Sequence, residues 1–282
     1  MLSKKIGLLT SSALPQLIAD EKPLMAALRD LGFDPLPVIW STPVDWESFA
    51  AVIVRTPWDY FEQHKDFFQV LEEIHQKTKL INDLSLMKWN SNKKYLLELA
   101  AQNIPIVPTF ALSSLAEFYQ QTATHPSQSF VLKPFVSAGS YKTYLWHKNE
   151  STDFLNAIDF KKEEFMLQPY LSEITTMGEV SFIFIAGVYS HAIRKLPALG
   201  DFRVQEDFGG SVGLFHPTEL QIQKAQDIVK LLPLVPSYAR LDFSWYQGEF
   251  CVMELELIEP ELFFRFHPQA GERLAREIIK LV

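Results

Sequence analysis

One cysteine, Cys251, occurs among 282 residues. An internal disulfide framework and a cysteine-rich metal centre are therefore excluded, and a reducing cytoplasmic setting is the expectation. Positive charge is also in short supply. Against 34 acidic residues stand 26 Lys and Arg, a net charge of −8 with no basic block. Neither nucleic acid nor an anionic membrane surface is expected as the main partner. No apolar run approaches the ~20 residues of a membrane span. The start looks superficially like a secretory leader, with Lys4 and Lys5 before an apolar stretch. Thr10, Ser11, Ser12 and Pro15 interrupt that stretch, so residues 6–9 read instead as a buried first strand. H-E-x-x-H, C-x-x-C and G-x-S-x-G are absent, as are the Walker A and G-x-G-x-x-G loops. Zinc peptidase, redox, serine hydrolase and dinucleotide-binding readings thus lack their motifs. What is abundant is apolar mass: 48% hydrophobic residues, including 22 Phe and 6 Trp, enough to bury a large core.

The first third alternates strand and helix patterns: strands at 5–10, 36–40, 51–54 and 80–81, helices at 22–31 and 61–75. That alternation predicts an α/β domain with a parallel sheet over 1–84, whose ligands sit beyond the carboxyl ends of its strands. Beyond 84 the texture changes. A helix at 89–102 leads to strands at 130–134 and 143–146, a helix near 152–158, and then strands at 165–168, 180–186, 188–195, 238–245 and 249–256. Helices are expected at 217–232 and 267–281. Runs of strands with few helices predict an antiparallel α+β region, divided at 85–165 and 166–282.

The densest acidic feature lies at Glu254-Leu255-Glu256-Leu257-Ile258-Glu259-Pro260-Glu261. On a strand Glu254 and Glu256 share one face, with Met253, Leu255 and Leu257 on the other. A three-residue hairpin loop at Tyr246-Gln247-Gly248 pairs Trp245 with Glu249 and brings Asp242 opposite Val252, onto the acidic face; a two-residue loop sends it to the wrong face. Three carboxylates ~4 Å apart repel by about 4 kcal/mol per pair at an effective dielectric of 20. A divalent cation such as Mg²⁺ or Mn²⁺ would offset that repulsion. So would pairing with Arg240 or Arg265, which leaves a plain acidic edge as the alternative.

Cationic residues recur at strand ends. Lys133 precedes the small-residue turn Ser137-Ala138-Gly139-Ser140, where backbone N–H groups can approach phosphate oxygens. Arg194 and Lys195 form a second cluster with Arg203, whose planar fork suits phosphate or carboxylate. Arg55, Trp58, Asp59 and Tyr60 follow the third strand of the parallel sheet. There Arg55 is expected to hold a substrate carboxylate and Asp59 an ammonium, the alternative being core aromatics with an internal Arg55–Asp59 ion pair.

Lys93, Lys133-Pro134 with its flap, Gln168-Pro169-Tyr170, Gly178-Glu179, Asp201-Phe202-Arg203 with Gly209-Gly210, Asp242 and Glu254-x-Glu256 together resemble the ATP-grasp superfamily over about 85–282. Arg-Thr-Pro-Trp-Asp-Tyr, Trp89-Asn90-x-x-Lys93 and the acidic run are similar to the cyclo-ligase-like branch of D-cycloserine biosynthesis, near the glutathione synthetase-like enzymes. The resemblance implies an ATP-grasp domain of two subdomains and ATP-dependent ligation through an acyl phosphate. Lys93 and Lys133 would grip phosphates beneath a flap at 135–143. The segment around Gln168, Tyr170 and Leu171 would line the adenine pocket, and Glu179 would hold the ribose. Arg203, assisted by Lys195 and Arg194, would act on the transferred phosphoryl group. Asp242, Glu254 and Glu256 would ligate Mg²⁺, although many relatives carry Asn where Glu256 stands. Small molecules are the implied partners, and a homodimer is admitted because relatives are often dimers. A non-catalytic ATP-binding protein, or a kinase-like enzyme that stops at phosphoryl transfer, is the alternative.

Overall fold

The computed structural model describes residues 4–137, 139 and 141–282; the expected phosphate-turn residues Ala138 and Ser140 lie outside them. The N-terminal third forms β1 (Lys4–Thr10), α1 (Lys22–Asp30), β2 (Phe33–Ile39), β3 (Phe49–Thr56), α2 (His64–Lys77) and β4 (Lys79–Ile81). The strands lie parallel in the order β2-β1-β3-β4. β1 and β3 are buried along almost their whole length, as expected of parallel strands covered on both faces. Leu24, Ala27 and Leu28 of α1 close one face, and Phe67, Phe68, Leu71 and Ile74 of α2 the other.

The helix expected at 89–102 is two helices, α3 (Leu84–Asn90) and α4 (Tyr95–Ala101). The break is chemical: the Asn92 side-chain oxygen accepts the Lys94 N–H at 3.0 Å, a local bond that competes with the helical one. Lys93 therefore lies between helices, and its N–H donates to Phe135 O at 3.0 Å.

A second sheet is built from β5 (Phe110–Leu112), β6 (Ser129–Pro134), β7 (Tyr144–His147) and β8 (Phe165–Pro169) in the antiparallel order β5-β8-β6-β7, with α5 (Leu115–Thr124) packed through Phe118. β5 and α5 escape a periodicity reading because they are short and weakly amphipathic. The helix expected near 152–158 is a single tight 3₁₀ turn, Asp153–Ala157. Since β8 pairs on both sides within this sheet, the division expected after residue 165 falls inside the sheet.

The third sheet contains β9 (Glu179–Ile185), β10 (Val188–Leu196), β11 (Ser211–Phe215), β12 (Tyr238–Tyr246) and β13 (Glu249–Glu256), ordered β11-β10-β9-β12-β13. α6 (Glu219–Lys230), started by a Thr218–Gln221 capping box, and α7 (Gln269–Lys280) support it. Gly178 leads into β9 at φ +76°, and a Cβ there would meet the Lys195 carbonyl at 2.2 Å. Only glycine lets β9 begin this close to the end of β10.

The β12–β13 hairpin differs from expectation in an instructive way. Its loop has two residues, Gln247 and Gly248, both with positive φ, and Tyr246 pairs with Glu249. The register then slips by one residue, so that Phe243 faces Val252 while Asp242 faces Glu254. This bulge at Met253 restores Asp242 to the acidic face. Met253 itself leaves the core side and packs with Val107, Leu171 and Val204.

Candidate functional site

Between the second and third sheets lies a cavity of about 760 Å³, which extends to Ile18–Asp20 and to Trp58 and Tyr60 of the N-terminal third. Such a volume suits a small-molecule ligand. Two helix residues fix the acidic ribbon on its edge. The Asn90 side chain donates to Leu255 O and accepts from Leu257 N–H, both at 2.7 Å, and Tyr95 Oη accepts Leu255 N–H at 2.9 Å. Polar side chains thereby continue, at Leu255 and Leu257, the edge pairing that a parallel bridge between Ile106 and Val252 begins.

The ribbon's carboxylates each meet a cation. Arg240 donates to both Asp242 oxygens, at 3.0 and 3.1 Å from Nε, and also reaches Glu256. Lys195 bridges Glu179 at 2.8 Å and Asp242 at 3.5 Å. Lys93 lies 3.2 Å from Glu254 and donates to Ser137 O at 2.5 Å. Among the described residues, no three of His, Cys, Asp and Glu are gathered into a group able to hold a metal ion. The mutual repulsion expected of Asp242, Glu254 and Glu256 is offset here by Arg240, Lys195 and Lys93 instead. Burial pushes the Glu256 carboxyl up to about 8 against the pull of Arg240. Burial likewise raises Glu179, with Lys195 opposing. For Asp242 burial acts upward too, but Arg240 and Lys195 prevail and hold it low.

Lys133 projects from β6 into the same cavity. Burial lowers its ammonium, Glu254 supports the charge, and Lys93 opposes it. Ser137 and Gly139 line the cavity near the two lysines, while Gln168, Tyr170 and Leu171 line it at the end of β8. The Gln168 amide is fixed on Thr109 Oγ1 at 2.9 Å. Arg203 borders the cavity with its guanidinium on Asp201 at 2.7 Å and over the Phe208 ring at 3.7 Å, and its hydrogen bonds hold the Asp201 carboxyl well below the usual range.

Three expected site residues are elsewhere. Arg194 is exposed on the opposite side of β10 from Lys195, as strand alternation requires. Arg55 is fully buried and grips Glu21 at 2.8 Å and Pro260 O at 2.9 Å, so it faces no ligand. Asp59 accepts from Trp40 Nε1 at 2.7 Å and does not line the cavity. The expected Arg55–Asp59 pair is thus replaced by Arg55–Glu21. Trp58 and Tyr60 do line the cavity, with Trp58 Nε1 donating to Glu259 O at 3.1 Å. The alternative that paired the acids with Arg240 is what the structure shows, whereas sequence reasoning passed over Asn90 and Tyr95 as ribbon supports and Glu259 on the cavity wall. Their only signal was their place inside motifs already noted.

Residues 6–82 match the sequence family described as the D-cycloserine synthetase DcsG N-terminal domain. The chain is 29% identical to cycloserine biosynthesis protein DcsG of Streptomyces lavendulae over 97% of each chain. It is 23% identical to the glutathione synthetase of Agrobacterium fabrum over 71% of this chain and 60% of that one. The crystal structure of D-cycloserine synthetase DcsG superposes with a TM-score of 0.84 at 27% identity, covering 98% of this chain and 99% of the other. D-alanine–D-alanine ligase from Bacillus anthracis, at 14% identity and a TM-score of 0.63 over 99% and 97% of the two chains, shares the fold. Sheet order, motif order and these similarities agree: the chain has the fold of the ATP-grasp ligases and resembles the cycloserine synthetase DcsG along nearly its whole length.

Proposed function

We propose that this chain is an ATP-dependent ligase that joins a small amino-acid-like carboxylate to an amine or related nucleophile through an acyl phosphate. The observation that carries the proposal is a cavity lined by Lys93, Lys133 and the acidic β12–β13 ribbon together, with Lys93 3.2 Å from Glu254. In this reading Lys93, Lys133 and the segment at Ser137 and Gly139 hold the triphosphate. Gln168, Tyr170 and Leu171 border the base, and Glu179 holds the sugar. Arg203 and Lys195 steady the transferred phosphoryl group, while Trp58 and Tyr60 border the acid substrate.

The donor chemistry fits a divalent cation, because the ribbon offers oxygen ligands only. Magnesium ions characteristically take one or two carboxylates plus phosphate oxygens and need no all-protein cage. Glu254 is the first candidate ligand, since among the described residues its one ion pair is the 3.2 Å contact with Lys93; Asp242 and Glu256 would join it as Arg240 and Lys195 are shared with the phosphates. When bound, the cation supplies charge neutralisation at the phosphate oxygens. A carboxylate oxygen of the substrate attacks the γ-phosphorus, forming the acyl phosphate as ADP leaves with the electron pair of the broken bond. The nucleophile then attacks the acyl carbon, inorganic phosphate departs, and nitrogen loses a proton. Throughout, Lys93, Lys133 and Arg203 oppose the charge that builds on the phosphoryl oxygens, and the enclosing sheets limit water at the acyl phosphate.

The test is calorimetry with Mg-ATP, followed by a screen of amino and hydroxy acids for ADP release. Magnesium-dependent binding and acid-dependent ADP release are expected. No binding at millimolar nucleotide would overturn the proposal, and binding without ADP release for any acid would favour a non-catalytic ATP-binding protein.

A further inference from the structure

The cavity's acidic residues are not equally provided for. Every other buried or half-buried carboxylate on its wall has an ion pair: Arg265 serves Asp20 and Glu261, Lys195 serves Glu179 and Asp242, Arg240 serves Glu256 and Asp242, and Lys93 serves Glu254. Glu259 is half-buried on the same wall, and among the described residues it has no salt bridge. Its position is rigidly built. Pro260 O is held by the buried Arg55 and Glu259 O by Trp58 Nε1, while Tyr238 Oη donates to Ile258 O at 2.8 Å. The main chain on both sides of the carboxylate is therefore fixed from behind. Tyr60, Lys93 and Glu254 line the same cavity.

A half-buried carboxylate with no salt bridge of its own is incompletely compensated, and its environment favours a positive guest. Burial raises the Glu259 carboxyl to about 7, with Lys93 and the Tyr60 hydroxyl pulling the other way. An arriving ammonium would supply the missing charge and hydrogen bonds. The neighbouring surface suits a small amine: Trp58, whose indole donates to Glu259 O, lines the cavity together with Tyr60, Ile18 and Ala19. This corner lies at the N-terminal end of the cavity, beside the stretch where the sequence placed an ammonium on Asp59, a residue occupied by Trp40 instead.

We propose that Glu259, backed by Tyr60, is the subsite for the protonated amine of the substrate, and that it is what makes this ligase prefer amino acids over the corresponding hydroxy acids. The inference rests on the ligase reading, and the experiment separates the two. Wild type, Glu259→Gln and Tyr60→Phe are first titrated with a non-hydrolysable ATP analogue and Mg²⁺; failure of wild type to bind it counts against the ligase reading alone. The magnesium–analogue complexes, or the free proteins if none forms, are then titrated with D- and L-alanine and serine and with the matching lactates and glycerates. Wild type should bind an amino acid at least 10-fold more tightly than its hydroxy partner. Glu259→Gln, which keeps the shape of the side chain, should lose that preference by weakening the amino acid at least 10-fold. Its nucleotide affinity should stay within twofold, and Tyr60→Phe should show a smaller loss in the same direction. No amine preference in wild type, or an undiminished preference in Glu259→Gln, overturns the proposal.

Discussion

Two buried arginines invite comparison. Arg55, at the end of β3, and Arg240, on β12, both carry charge into the protein and both find carboxylates. Arg55 meets Glu21 where neither side chain has any exposed surface, and its remaining donors go to backbone carbonyls. Arg240 meets Asp242 and Glu256 on a wall that opens into the cavity, with the Glu256 side chain about one quarter exposed. The chemistry of the pairs is alike, but their surroundings are not. A closed pair fixes one arrangement of backbone, whereas an open pair leaves its anions available to exchange partners. Buried charge therefore marks a reactive site only when the same wall is open to a ligand.

The largest expected effect breaks the closed pair. Arg55→Ala leaves Glu21 buried without its partner and should cost about 3–5 kcal/mol, read as a lower urea midpoint, with nucleotide affinity of the folded fraction unchanged. A stability loss below about 1 kcal/mol would show that the pair is not what fixes this corner. On the open side the effect should fall on turnover. Glu254→Gln is expected to cut ATP turnover by about 10²–10³-fold while shifting stability by less than about 1 kcal/mol, because its ion pair with Lys93 is partly exposed. Unchanged turnover would remove Glu254 from the proposed cation site.

A pH experiment probes the seam behind the open wall. The His191 and His267 rings lie tilted at 34° with centres 5.2 Å apart, and His191 Nε2 lies 3.1 Å from Leu262 O. Burial, with help from His267, lowers its pKa to about 4. Because the unfolded chain takes up this proton near pH 6.5 and the folded one only near 4, the contribution is complete above 6.5 and is lost as pH falls towards 4. The full difference is about 3 kcal/mol. Urea midpoints of wild type and His191→Gln should therefore converge on acidification from pH 7 to 4.5, and parallel curves would refute the assignment. The smallest effect lies outside the cavity wall. Gly248→Ala places a side chain at φ +81° and should cost about 1 kcal/mol with ATP turnover retained. A large loss of turnover would mean that the turn, rather than the bulge, sets the acidic face.

The parallel sheet was readable because its buried strands and amphipathic helices are long enough to show their periods. Motif order grouped Asp242, Glu254, Lys93 and Lys133, and they line one cavity. Partner choice was not. Nothing local distinguishes Arg55 held by Glu21, thirty-four residues away, from Arg55 held by Asp59, four residues away. Lys93 was placed on a helix because the apolar spacing of 89–102 is helical; the competing Asn92 side-chain bond does not alter that spacing. Glu259 looked like one acid among several until the ion pairs of its neighbours left it alone.

The irregularity at Met253 has a consequence for how such chains can change. Strand side chains alternate in two phases, and this one surplus residue converts one phase into the other halfway along the ribbon. Loop length and bulge are thus arithmetically tied: gain or loss of a single residue in the hairpin is tolerable only with an equal change elsewhere in the same strand. Between chains that keep the acidic face, length differences in this ribbon should come as compensating pairs or not at all.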